Sequence, residues 1–173
     1  MTQSFRANAT YIAQGEQAVG RTPDAMITTT LGSCVAVCLW DPDHRIGGMN
    51  HILLPDEGGS WSRLNNLGGT AMDRLVNALV KTGADGGRLR AKIFGGASMI
   101  AGLSDIGERN AAFVLEYLDR ETIPCDARSV GGRAARQVKF WPHGGRVRQR
   151  VVSDFREPPH IVSASAGNGV ELF

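Results

Sequence analysis

Two apolar segments joined by a polar turn constrain the fold of this chain more than any other feature. Residues 34–40 form a short apolar run, and residues 46–54 form a second run that stops at Pro55. Between them, Asp-Pro-Asp-His at 41–44 supplies residue types that favour tight turns. The pattern predicts two adjacent antiparallel strands.

The remaining apolar periodicities predict two helices and further strands. Apolar residues recur at helical spacing within 68–82 and 104–121, whereas residues 89–94 are typical of a buried strand. Near the C-terminus, residues 137–141 and 146–152 flank Pro-His-Gly-Gly, which indicates a hairpin. This order predicts a single compact α/β layered domain, with mixed or antiparallel sheets and two main helices packed on them.

Length and composition are those of one cytoplasmic domain. We expect the domain to span residues 1–156, and we expect residues 157–173, rich in Pro, Ser, Ala and Gly, to form a flexible tail. No run approaches the ~18 apolar residues of a membrane span, and the first twenty residues lack the apolar core of a signal peptide. The three cysteines are typical of reduced thiols. Cytoplasmic localisation without membrane insertion is therefore expected.

The segment Thr-Thr-Thr-Leu-Gly-Ser-Cys at 28–34 is the first candidate for chemistry. Gly32 and Ser33 favour a tight bend before Cys34, and a bend can aim a side chain and backbone N–H groups at one point. A nucleophile beside an oxyanion hole needs that arrangement, with Gly32 and Ser33 forming the hole and the wall of the site. A cysteine that opens an apolar strand is, however, more often a small core residue.

His51 strengthens the catalytic interpretation, because it lies on the strand predicted to run antiparallel to that of Cys34. A neighbouring imidazolium lowers the pKa of a thiol from its ordinary value of about 8.5. A third group can then hold the other ring nitrogen. If the segment stays extended, Thr28 and Thr30 share a face with Cys34 while Thr29 points away, although spacing alone does not choose between them.

Two other interpretations of these residues remain open. Cys34, Cys38 and His51 are potential zinc ligands, but a structural zinc site usually has four ligands, and no fourth is near in sequence. We therefore expect no metal or cofactor.

The Gly-Gly pair at 95–96 lacks the phosphate-loop and dinucleotide patterns, so it either allows two backbones to approach closely or forms a wall of the site. Asn110 is placed to reach a neighbouring loop.

Residues 24–152 contain five motifs that are informative when taken together. They are Thr-Thr-Thr-Leu-Gly-Ser-Cys-Val-Ala-Val-Cys-Leu-Trp-Asp at 28–41, Ile-Gly-Gly-Met-Asn-His-Ile-Leu-Leu-Pro at 46–55, Ala-Lys-Ile-Phe-Gly-Gly-Ala at 91–97, Ile-Gly-Glu-Arg-Asn at 106–110 and Gly-Gly at 131–132. In these motifs the chain closely resembles the CheD family of chemoreceptor glutamine deamidases.

The resemblance implies a bacterial chemotaxis enzyme that hydrolyses glutamine side chains of chemoreceptors to glutamate and releases ammonia. It implies Cys34 as nucleophile, His51 as base and acid, and Thr28 as the residue that orients His51, with a covalent thioester and no cofactor. It also implies the cytoplasmic helices of a chemoreceptor as substrate and, in some members, a CheC phosphatase as partner.

The basic residues of the C-terminal region bear on how a partner would bind. The net charge is only +2, yet residues 128–150 contain seven basic residues and no acidic one. They form either a solvated hairpin face or a surface that steers an acidic receptor helix, and the scarcity of aromatic residues argues against nucleic acid. Arg133, Arg136 and Asn110 are the candidate substrate contacts.

Two other functions remain open from the sequence. The chain is alternatively a partner-binding regulator of a CheC-like phosphatase with little catalytic use, or a cysteine amidase or esterase acting on another protein.

Overall fold

The computed structural model describes residues 8–54, 61–99 and 105–156, with side chains described from residue 68 in the first helix and from residue 106 in the second. The predicted tail at 157–173 lies outside these ranges and stays a prediction. The elements in chain order are β1 (Asn8–Tyr11), β2 (Gln17–Gly20), β3 (Ala25–Leu31), β4 (Val35–Asp41), β5 (Ile46–Ile52), α1 (Trp61–Thr82), β6 (Arg90–Gly95), α2 (Asp105–Arg120), β7 (Cys125–Val130), β8 (Ala135–Trp141) and β9 (Arg146–Val152).

These elements form two sheets. One has four strands in the order β1-β3-β8-β9, and the other has five in the order β2-β5-β4-β6-β7. The pairs β1–β3 and β6–β7 are parallel, whereas the other neighbouring strands are antiparallel. The predicted α/β class with mixed sheets and two helices is confirmed, as are the pairing of β4 with β5 and the hairpin of β8 with β9.

Strand β4 lies at the centre of the molecule, because every residue in it is buried. Its alternate side chains point to different layers. Val35, Val37 and Leu39 pack against the helices, and Ala36 and Cys38 pack against the four-stranded sheet. The domain is therefore three layers deep, with the five-stranded sheet between the helices and the smaller sheet.

The two helices cover one face of the five-stranded sheet. Met72, Leu75 and Leu79 recur at helical spacing on α1 and are fully buried, as the apolar periodicity predicted. The helix begins at Trp61, before the predicted start at residue 68, and ends before Gly83, whose φ of 116° terminates the helix. Among the described residues, no helix is both long and apolar enough to cross a membrane.

Asp41 holds together the turn between β4 and β5. One carboxylate oxygen accepts hydrogen bonds from the backbone N–H groups of Asp43 and His44, at 2.9 and 3.1 Å. The other accepts from the His44 ring at 2.7 Å and from the Asp85 backbone N–H at 2.8 Å. Burial alone raises the pKa of Asp41, but the hydrogen bonds from Asp85 and His44 outweigh it and hold that pKa below its ordinary value.

We expect Asp41→Asn to destabilise the fold by roughly 1–3 kcal/mol. One carboxylate oxygen would be replaced by an NH₂ group, which cannot accept the hydrogen bonds that this oxygen now accepts. Since the folded pKa is lowered, the contribution of the carboxylate is complete above the unfolded pKa of about 4 and is lost as pH falls through the folded pKa. Urea unfolding at pH 7 should therefore show the full loss, and the difference from wild type should shrink below about pH 4.

Asp43→Asn is the matched control, since the Asp43 side chain is half exposed and pairs on the surface with Arg88. A similar loss in both variants, or no loss in Asp41→Asn, would contradict the role assigned to Asp41.

Candidate active site

The bend at residues 32–34 carries the chain from β3 in the smaller sheet to β4 in the larger sheet. Each of its three carbonyl oxygens accepts a hydrogen bond. The Gly32 oxygen accepts from the Ala97 backbone N–H at 3.0 Å, and the Cys34 oxygen accepts from that of Gly96 at 2.8 Å. The Ser33 oxygen accepts from the Asn110 side chain at 2.9 Å. Because a peptide unit is planar, fixing these carbonyls also fixes the direction of the N–H groups of Ser33 and Cys34.

The glycine pair after β6 allows this contact. Gly95 and Gly96 have φ values of 109° and 64°, which disfavour any side chain. A Cβ on Gly95 would overlap the Cys34 carbonyl oxygen. A Cβ on Gly107 would lie 2.5 Å from the Gly96 carbonyl oxygen. The prediction that the Gly-Gly pair brings two backbones together is confirmed, and Gly107 at the start of α2 completes the contact.

Asn110 joins the two strands that carry the candidate catalytic residues. Its side-chain nitrogen donates to the Ser33 carbonyl, and its oxygen accepts from the Leu54 backbone N–H at 2.9 Å. The side chain is 1% exposed. The predicted reach to a neighbouring loop is confirmed, but the interpretation of Asn110 as a substrate contact is wrong, because both ends of a buried amide are used inside the protein.

Cys34 and His51 lie on the same face of the five-stranded sheet. His51 pairs with Ala36, two residues beyond Cys34, and paired residues of adjacent strands project to the same side. This face packs against the smaller sheet, where Cys34 and Ala36 belong to one buried cluster. Cys34 is 5% exposed and His51 is 6% exposed. The register therefore places the thiol and the imidazole on diagonal positions of neighbouring strands, within a largely water-excluded layer.

The threonine that contacts His51 is Thr29. Its hydroxyl oxygen lies 2.8 Å from His51 Nδ1, whereas the Thr28 hydroxyl donates to the Val138 carbonyl at 2.9 Å, within the smaller sheet. The predicted placement of Thr28 beside His51 is therefore wrong. That placement was implied by the family resemblance and agreed with an extended chain from residue 28 to Cys34. The bend at 32–34 instead passes between the sheets and breaks the alternation of faces.

The contacts of Thr29 determine which nitrogen of His51 carries the proton. The Thr29 hydroxyl also lies 2.7 Å from the Ile12 carbonyl, which only accepts hydrogen bonds. The single hydroxyl proton must therefore be donated to Ile12, so the hydroxyl accepts from His51 Nδ1–H. The neutral ring then carries its basic lone pair on Nε2.

A pocket of about 160 Å³ opens beside His51. Its walls come from the loop between β1 and β2, the end of β5 and the buried side of α1. Lining residues include Gln14, Glu16, Asn50, His51, Leu54 and Arg74. The loop is fixed to His51 through both backbone groups of that residue, since Gly15 donates to its carbonyl at 2.9 Å and its N–H donates to the Glu16 carbonyl at 3.1 Å.

Arg136 stabilises the connection between β7 and β8. Its guanidinium donates to the Ser129 carbonyl at 2.6 Å and also contacts the Gly131 carbonyl. Burial lowers the pKa of this guanidinium. These internal hydrogen bonds of Nη1 and Nη2 give Arg136 a structural role, and its contact with substrate stays a prediction. Arg133 is exposed, and its contact with substrate stays a prediction.

Most of the other basic residues lie on the hairpin of β8 and β9. Lys139 pairs with Arg148, and Trp141 pairs with Arg146, so their side chains share one face. Both arginines stack over the Trp141 ring, at 5.8 and 4.2 Å from its centre. This arrangement does not distinguish a solvated face from a docking surface, and the docking of an acidic partner stays a prediction.

The potential zinc ligand Cys38 lies in the middle of β4. It is completely buried between the sheets, and that burial raises the pKa of its thiol. Among the residues whose positions are described, no group of three or more His, Cys, Asp or Glu side chains is arranged to hold a metal ion.

The amino-acid sequence matches one family model and is similar to several known proteins. A family model described as "CheD chemotactic sensory transduction" matches residues 53–151. A protein of Caulobacter sp. (strain K31), named "Probable chemoreceptor glutamine deamidase CheD", is 47% identical over 94% of this chain and 92% of its own length. An Agrobacterium fabrum protein of the same name is 47% identical over 85% of this chain and 82% of its own length.

Among solved structures, the Bacillus licheniformis hypothetical protein YfiH aligns with a TM-score of 0.44 and 14% identity, over 65% of this chain and 49% of that one.

We expect Gly95→Ala to disrupt the bend at Cys34. The new methyl group would overlap the Cys34 carbonyl, and overpacking of this kind costs about 1–3 kcal/mol beyond the cost of a positive φ. Gly131→Ala is the matched control, since Gly131 has a φ of 88° but open space around its Cβ position. Urea unfolding should show the larger loss for Gly95→Ala, and equal losses would contradict the proposed contact.

Proposed function

The chain belongs to the CheD family, and on that premise we propose that it is a chemoreceptor glutamine deamidase in which Cys34 is the nucleophile, His51 the acid–base residue and Thr29 the residue that positions His51. The hydrogen bond from His51 Nδ1 to Thr29 carries this proposal, because it leaves the basic lone pair on Nε2. The reaction converts a glutamine side chain and water into glutamate and ammonia.

The first step generates the nucleophile. His51 Nε2 accepts the thiol proton of Cys34, and the resulting imidazolium is stabilised by its Nδ1–H bond to Thr29. The thiolate then attacks the carboxamide carbon of the substrate glutamine. A C–S bond forms as the C=O π electrons move onto oxygen, giving a tetrahedral oxyanion.

The fixed bend supports stabilisation of this oxyanion. The N–H groups of Ser33 and Cys34 are held in direction by the hydrogen bonds that their peptide carbonyl oxygens accept from Ala97 and Asn110. Donors that are already oriented need no reorganisation as charge develops, which is the main advantage of an oxyanion hole. Gly32 has no side chain, and we propose that this leaves room for the substrate oxygen to approach the N–H groups.

The same ring completes the reaction. His51 Nε2–H donates its proton to the amide nitrogen, the C–N bond breaks, and ammonia leaves behind a thioester on Cys34. Nε2 then takes a proton from water, the resulting hydroxide attacks the thioester carbon, and the C–S bond breaks. Glutamate is released, and the imidazolium returns its proton to the thiolate.

The substrate is a chemoreceptor, as the names of the relatives state for those proteins. We place the reaction in the cytoplasm, on the cytoplasmic helices of the receptor. The pocket beside His51 is lined in part by the exposed residues Gln14 and Arg74, but Cys34 does not line it, so we do not assign this pocket to the substrate side chain. A CheC-like phosphatase is a further partner that the family resemblance implies, and a module that binds it without catalysis is the alternative function.

Mass spectrometry of a co-expressed receptor cytoplasmic fragment tests the proposed activity. Wild-type protein should add about one dalton at particular receptor glutamines, and Cys34→Ala should abolish the gain because no thioester can form. Cys125→Ala is the matched control, since that thiol is exposed on β7 in a different part of the molecule. Folded wild-type protein that deamidates none of several receptors would favour the partner-binding module.

A second experiment tests which threonine positions His51. We expect Thr29→Val to lower kcat roughly 10- to 100-fold, the equivalent of losing a hydrogen bond worth about 1–3 kcal/mol. Thr28→Val should stay close to wild type, since the Thr28 hydroxyl donates to Val138. The measurement is deamidation rate against pH for both variants. A larger loss in Thr28→Val would overturn the assignment of Thr29.

A further inference from the structure

A glutamine of the chain itself lies against the nucleophile. Gln14 belongs to the loop between β1 and β2, and its side chain is exposed. The Cys34 thiol donates to the Gln14 side-chain oxygen, with 3.9 Å between sulfur and oxygen. The group that touches the thiol is therefore a primary carboxamide, which is the functional group of the proposed substrate.

The backbone around Gln14 is held firmly to the site. Gly15 donates to the His51 carbonyl at 2.9 Å, and the His51 N–H donates to the Glu16 carbonyl at 3.1 Å. Within the loop, the Ala13 N–H also donates to the Glu16 carboxylate at 2.7 Å. These bonds fix the loop beside His51 but leave the Gln14 side chain on the outside, where it can change rotamer without breaking them.

We propose that Gln14 is a built-in stand-in for the substrate, whose carboxamide covers the Cys34 thiol at rest and is displaced when a receptor glutamine enters. This inference rests on the proposed deamidase function and adds a device that regulates access to the same nucleophile. Gln14 is a positioning and gating residue, because it acts on the thiol rather than on the reacting bond.

The contact has two physical consequences. It fills space above a thiol that is only 5% exposed, so a substrate must compete with it. It also stabilises the protonated form of Cys34, because a thiolate has no proton to donate to the amide oxygen. Entry of the substrate therefore removes the cover and one of the interactions that favour the unreactive thiol.

The rate of Cys34 alkylation by iodoacetamide tests the gate without depending on deamidation. Peptide mapping separates Cys125 from the other two thiols, and fragment ions distinguish Cys34 from Cys38 on their shared peptide. We expect Gln14→Ala to react several-fold faster than wild type at pH 7.5, and Gln14→Glu to react more slowly, because a carboxylate beside the sulfur disfavours the thiolate. Gln149→Ala, an exposed glutamine on β9, is the control and should react at the wild-type rate.

Receptor kinetics provide the second measurement. If a receptor glutamine displaces Gln14, then Gln14→Ala should lower KM several-fold with little change in kcat. An unchanged alkylation rate and an unchanged KM in Gln14→Ala, in protein that still deamidates receptor, would overturn the gate and leave the proposed function intact. Faster alkylation in a protein that deamidates no receptor would support the gate while the proposed function fails.

Discussion

The hydrogen bond between Thr29 and His51 joins the two sheets at the proposed catalytic site. One partner lies on β3 in the four-stranded sheet and the other on β5 in the five-stranded sheet. Its geometry therefore depends on how the sheets pack. Leu31 and Phe140 from the smaller sheet and Met49 from the larger are fully buried in that interface. Burying side chains of this size contributes about 1.5–3 kcal/mol each, so the apolar layer fixes the distance that the polar bond needs.

The proposed nucleophile, Cys34, depends on a second constraint, which is the close contact of its backbone with the backbone of residues 95–97. The bend at 32–34 is held by carbonyl hydrogen bonds to Gly96, Ala97 and Asn110, and the glycine residues let these segments approach without side chains between them. The proposed mechanism thus combines a nucleophile on a fixed bend with an exposed side chain, Gln14, as its proposed cover. Rigidity serves the oxyanion, whereas mobility serves the exchange of one carboxamide for another.

Local signals in the sequence were sufficient for the centre of the fold. The turn at 41–44 and the apolar runs around it identified β4 and β5, and helical spacing identified the buried faces of both helices. By contrast, β1, β2 and β7 were missed. Their residues are exposed or half-buried, so no alternation of apolar and polar residues marks them, and it is pairing with distant strands that makes them extended.

The errors at the site have the same origin in long-range structure. Counting faces along the chain favoured Thr28 and Thr30 over Thr29, and the family resemblance then singled out Thr28. Alternation of faces holds only within one sheet, however, and the chain changes sheets between Thr29 and Cys34. Arg136 was treated as a surface charge because its partners, Ser129 and Gly131, belong to a connection that no local pattern reveals. The proximity of Cys34 to His51 could be predicted from the sequence because a short turn joins β4 and β5.

The tautomer of the His51 ring is the most direct test of the roles proposed for His51 and Thr29. Long-range ¹H–¹⁵N correlation spectra can assign it in the Cys34→Ser variant, where no thiolate can charge the imidazole. In the neutral ring we expect the proton on Nδ1 and the lone pair on Nε2, and we expect Thr29→Val to remove this preference. A neutral ring protonated on Nε2 would contradict these roles, because that nitrogen could not then accept a proton from the nucleophile.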